Sequence, residues 1–125
     1  MTNRNTARPP VAAWCGALVL VVLLACGCGS SAPSATSATQ STCQQVSAVL
    51  SDGPDPGADP VGYAEAQILP LRQISSADPA LRAAIARLAD AYQEFFASDG
   101  KSSTATKAVA AASSKLNSIC PGAAS

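Results

Sequence analysis

Leu81, Ile85, Leu88, Tyr92 and Phe95 follow one another at spacings of 4, 3, 4 and 3. Side chains at those intervals share one face of an α-helix, whereas a half-buried strand would alternate every second residue. Asp78 precedes the stripe with Pro79 behind it, an N-cap carboxylate followed by a proline at the first helical position, and Gly100 is placed to stop the helix. Arg82, Arg87, Asp90 and Glu94 take intervening positions, as a water-facing side requires. Such a helix cannot bury its stripe alone, so the rest of the chain must supply partners of the same kind.

Three further segments do. A helix is expected over residues 43–51, with Ser41 or Thr42 as N-cap and Gly53 as its stop. The run Gly53-Pro54-Asp55-Pro56-Gly57-Ala58-Asp59-Pro60 reads as a loop. Asp59 then caps a second helix with Val61, Ala64, Ile68 and Leu71 at helical spacing, and Pro70 is expected to kink it or end it early. A last helix over 103–119 carries Ala105, Val109, Ala112, Leu116 and Ile119 on one stripe before Pro121. No segment alternates with period two. The expectation is an all-α fold, a small antiparallel bundle of about four short helices.

The unit from Cys43 to Cys120 is rich in alanine and has little core to bury. Its two cysteines sit at its extreme ends, and four antiparallel helices return those ends to one side. A Cys43–Cys120 disulfide is therefore expected; in the chain-entropy treatment a loop of this size contributes about 4.5 kcal/mol, an upper figure. Residues 121–125 read as a disordered tail.

The N-terminal third has a different character. Arg4 and Arg8 are followed, after Pro9-Pro10, by the apolar run from Val11 to Ala25, 15 residues long. A basic start and an apolar segment of that length match a signal peptide, and a spanning helix usually needs roughly 20 residues. An uncleaved anchor remains the alternative, because the run extends nearly that far if carried to Cys28; either way the two arginines keep the N-terminus inside and the remainder is exported. Export permits the disulfide. From Gly27 to Thr42 the sequence GCGSSAPSATSATQST has no charge and no large apolar residue. It reads as a flexible tether of roughly 20–24 Å root-mean-square span.

Leu23-Leu24-Ala25-Cys26, at the end of the apolar run, resembles the bacterial lipobox, and Gly-Cys-Gly-Ser-Ser opens the tether behind it. With the compact helical unit between Cys43 and Cys120, the chain resembles the small alanine-rich lipoproteins exported by high-GC actinobacteria. The resemblance implies cleavage after residue 25 and a diacylglyceryl group on the Cys26 thiol, with Cys28 as the competing position. It implies residence on the outer face of the cytoplasmic membrane, since two acyl chains hold where one holds only marginally. The implied organisation is a signal peptide (1–25), a lipidated tether (26–42), a helical domain (43–120) and a tail (121–125). It implies no activity.

The chemistry the sequence excludes is broad. There is no histidine among 125 residues, hence no imidazole base, no His-based triad and no His metal ligand. Eight basic and eight acidic residues leave no excess of positive charge for nucleic acid. Asp52, Asp55 and Asp59 lack the ligand spacing of a calcium loop and are explained by turns and a helix cap. Asp90 and Glu94, four apart, are the candidate carboxylates for an envelope enzyme, though a solvated helix face accounts for them. The favoured expectation is a non-enzymatic module, without cofactor or metal, that binds an envelope protein or a small apolar ligand. The end of the third helix near Phe96 is the first place to look for an apolar groove.

Overall fold

The computed structural model describes residues 35–124. Four helices succeed one another: α1 (Ala35–Leu50), α2 (Pro60–Gln73), α3 (Pro79–Ala97) and α4 (Ser103–Ile119), with no strand among the described residues. The expected signal peptide, Cys26, Cys28 and the first part of the tether lie outside the described residues.

Local chemistry sets three of the four helix starts. Asp59 accepts from the Gly62 N–H at 2.8 Å, and Asp78 accepts from those of Ala80 at 2.8 Å and Leu81 at 3.2 Å. Ser102 accepts from the Ala105 N–H at 3.2 Å. Each satisfies a helix-terminal donor that has no partner within the helix. After α3 the chain reverses through two consecutive left-handed residues, Asp99 (φ 53°) and Gly100 (φ 68°). The Gly100 N–H reaches back to the Phe95 carbonyl at 3.0 Å.

The packed centre is α2, α3 and α4. Leu71 and Ala64 of α2 meet the α3 stripe of Leu81, Ile85, Leu88 and Tyr92, and Leu116 and Ala112 close it from α4. Alanines at 84, 89 and 91 are also buried, so the helices approach closely where a larger side chain would hold them apart. Five-residue connections (74–78 and 98–102) join neighbouring helices, which therefore pack antiparallel. Pro70 neither ends α2 nor shortens it; the helix continues to Gln73, anchored by the fully buried Leu71.

α1 joins this centre by a narrower set of ties. Val46 is fully buried and Thr42 nearly so. The Tyr63 hydroxyl donates to the Leu50 carbonyl at 2.7 Å, and Gln67 Nε2 donates to the Asp52 carbonyl at 2.7 Å. At the other end Cys43 is bonded to Cys120, with Cα atoms 5.4 Å apart and 77 residues of separation. The expected bridge is thus present.

Two boundaries differ from the sequence reading. α1 begins at Ala35, eight residues before the expected start, so neither Ser41 nor Thr42 is its cap and half of the expected tether is helix. Once the turn at Cys43–Val46 is packed, adding upstream residues costs little because the helix nucleus already exists. Ala35 and Ala38 suit it, and the Thr42 hydroxyl donates to the Ala38 carbonyl at 3.0 Å. The expected tail also folds back. Asn117 Nδ2 donates to the Ala124 carbonyl at 2.9 Å while the Ala124 N–H donates to Asn117 Oδ1 at 2.8 Å, and Ala123 is buried.

Candidate functional site

The end of α1 lies beside the starts of α2 and α4: Tyr63 holds Leu50, and a Cβ added at Gly100 would meet Val61 Cγ2 at 3.2 Å. α1 consequently runs antiparallel to α4, and Cys43 meets Cys120 just beyond α4's last residue. The first eight residues of α1 overhang that end by about 12 Å. A groove of about 790 Å³ runs between this overhang and the turn after α4, bounded by Thr36, Thr39, Gln40, Ile119, Pro121 and the disulfide. Among the described residues no charged side chain lines it. Its wall combines hydroxyl and amide groups with aliphatic surface.

A second, smaller apolar slot of about 270 Å³ opens at the opposite end, where Tyr63, Tyr92, Phe95 and Val109 meet Pro56 and Pro60. Tyr63 and Tyr92 meet edge to face, with ring centres 5.8 Å apart and planes at 82°. Burial pushes the Tyr92 phenol well above its usual pKa, and the neighbouring Tyr63 adds to the effect. Phe96 does not line this slot. It points outward and is 39% exposed, whereas Phe95 turns in. The apolar groove expected near Phe96 therefore belongs to its neighbour's side of the helix.

Asp90 and Glu94 both border a shallow groove of about 300 Å³ between α3 and α4, walled by alanines and by Arg87 and Lys115. Both acids are exposed. Asp90 Oδ1 is 3.1 Å from Arg72 Nη2 and its side chain is 67% exposed. Two carboxylates adjacent on one helix, with cations across from them, do not form the facing pair that acid–base hydrolysis needs. Asp52, Asp55 and Asp59 serve local structure: Asp52 accepts from Gly53 at 2.9 Å, Asp55 from Gly57 at 2.7 Å, and Asp59 caps α2. Among the described residues no three His, Cys, Asp or Glu side chains gather closely enough to hold a metal ion.

The sequence reading placed the disulfide and missed the groove beside it. Ala, Thr and Gln line that groove, and none of these carries a signal by type or spacing. The one hint in the sequence was the absence of any charge between Arg8 and Asp52. No family model, characterised protein or solved structure matches the chain.

Proposed function

We propose that this protein is an exported lipoprotein of the cell envelope, anchored through a diacylglyceryl group on Cys26 to the outer face of the cytoplasmic membrane. Its helical domain serves as a non-enzymatic module that binds an envelope protein or a small apolar ligand. The observation that carries the binding role is the uncharged groove of about 790 Å³ beside the Cys43–Cys120 bridge. A neutral wall of hydroxyl, amide and aliphatic groups costs less to desolvate than a charged one, and the volume lies within the range of small-molecule sites. The groove borders Ala35, so the chain from the anchor enters the domain at its rim. The lipobox-like Leu23-Leu24-Ala25-Cys26 and the basic, then apolar, N-terminal segment support the anchor.

Two measurements test the reading. Cells fed a labelled lipid precursor should label the wild type and the Cys28→Ala variant, and fail to label Cys26→Ala; normal labelling of Cys26→Ala would remove the assignment. A photoreactive residue at Gln40, in the groove, should give discrete adducts in intact membranes, while one at Glu65, on the exposed side of α2, should not. Equal yields from both positions would sink the binding role.

A further inference from the structure

The connection between α2 and α3 borders a groove of about 390 Å³ whose chemistry differs from that of the other grooves. Leu71 and Ile85, 0% and 2% exposed, lie beneath it, and its accessible aliphatic surface is that of Ile74 and Ala86. On its border stand Arg72, Arg82 and Ser76, with Asp90 as the one acid. From Cys43 onward the chain has six basic and eight acidic residues, so this groove gathers positive charge on a domain that is negative as a whole.

The polar groups are arranged to donate. Ser76 is only 8% exposed, and its Oγ accepts from the Asp78 N–H at 3.2 Å. Its hydroxyl proton is committed to no acceptor among the described residues. Arg82 gives one Nη1 proton to the Ser76 carbonyl at 3.4 Å, which draws its guanidinium against the connection and leaves its other donors uncommitted among the described residues. Arg72 is held by Asp90 at 3.1 Å and by the Gln93 side-chain oxygen, both through Nη2. Its remaining N–H groups are uncommitted among the described residues, and Asp90 fixes it at the cost of some of its charge.

Donors on the rim and aliphatic walls below call for a ligand with an anionic head and a short apolar body. We infer that this groove binds an oxyanion, a carboxylate or a phosphate, carried on a hydrocarbon chain. Arg72, Arg82 and the Ser76 hydroxyl hold the oxyanion while Ile74 and Ala86, the accessible aliphatic side chains of the groove, take the start of the chain. A guanidinium suits either oxyanion because its planar donors match two oxygens at once. The site is separate from the neutral groove at the disulfide and stands whether or not that groove binds anything.

The isoleucines make the test direct. The chain has four, at 68, 74, 85 and 119; Ile74 and Ile85 line this groove, and Ile119 lines the neutral one. Full-length chain with labelled isoleucine methyls, held in phosphatidylcholine nanodiscs, is titrated with hexanoate, with 1-hexanol and with inorganic phosphate. Hexanoate should move the Ile74 and Ile85 methyls and leave Ile68 and Ile119 in place. Hexanol should leave Ile74 and Ile85 in place, and phosphate should compete with hexanoate. Arg82→Gln should weaken hexanoate by about tenfold, the loss of one charge-assisted contact, and Arg82→Lys by less; unmoved Ile68 and Ile119 signals confirm that the variants are folded. Replacing part of the lipid by phosphatidylglycerol identifies the source: movement of Ile74 and Ile85 without hexanoate means a lipid headgroup, and movement only with hexanoate means a free ligand. The inference is overturned if hexanoate and phosphatidylglycerol both leave Ile74 and Ile85 unmoved. It is also overturned if hexanol acts as hexanoate does, or if Arg82→Gln titrates like the wild type.

Discussion

Gln67 shows how much one residue can settle in so small a core. It is 1% exposed, its Nε2 ties α2 to the loop after α1, and its Oε1 has no hydrogen-bond partner among the described residues. The contact depends on Gly53, which has a φ of 108°; a Cβ there would meet Gln67 Nε2 at 3.1 Å. Gly53→Ala thus combines backbone strain with crowding and should lower stability by about 1–3 kcal/mol, measured as a shift in urea midpoint with unchanged slope. Asp78→Ala removes a cap that satisfies two N–H groups and should lower stability by about 1 kcal/mol. Tyr92 gives a pH dependence of definite sign. Its phenol has a raised pKa when folded, so the native state keeps a proton that the unfolded chain releases near its ordinary value of about 10. The stability this provides is complete below that pH and falls as pH rises above it. Urea midpoints between pH 9 and 11 should decline, and Tyr92→Phe should decline less steeply.

At the scale of the element, legibility tracked the density of apolar side chains. α4 has the bounds that its stripe and Pro121 indicate, and α3 starts at the Asp78–Pro79 pair, because large residues at regular spacing declare both a helix and its buried side. α1 does not, since Ala35–Thr42 contains no residue large enough to mark a face. That half is helical because the packed turn at Cys43–Val46 nucleates it, and a tertiary tie seventy-seven residues away in sequence holds it in place. The groove beside it was illegible for the same reason, and the turn after α4 because Asn117 grips Ala124 through one amide. The arginines of the α2–α3 groove were visible as residues, but their meeting there depends on a connection whose path no spacing encodes. The disulfide is therefore expected to matter unequally. In Cys43→Ser/Cys120→Ser, amide exchange in α1 should accelerate by orders of magnitude while Leu88 and Ala89 of α3 remain the slowest to exchange. Equal acceleration in both helices would show α1 to be integral to the centre.

For the molecule as a whole, the four-helix, disulfide-closed architecture rests on a short list of residues: five large side chains on α3, three capping groups and two cysteines. None of the described helices is long and apolar enough to cross a membrane. The position of the bridge also fixes how the protein carries load. Tension applied between the two ends of the chain enters through the first turns of α1, crosses at Cys43 to Cys120, and leaves through the last five residues. The residues between, 44–119, lie in a closed ring and bear none of it. Stretching the oxidised chain should therefore release only the segments outside the ring, and a reducing agent should add about 270 Å of contour length for 77 residues. The bond that staples a small core thus makes the domain a closed link between the segments on either side, with α2, α3 and α4 inside the ring and out of the line of force.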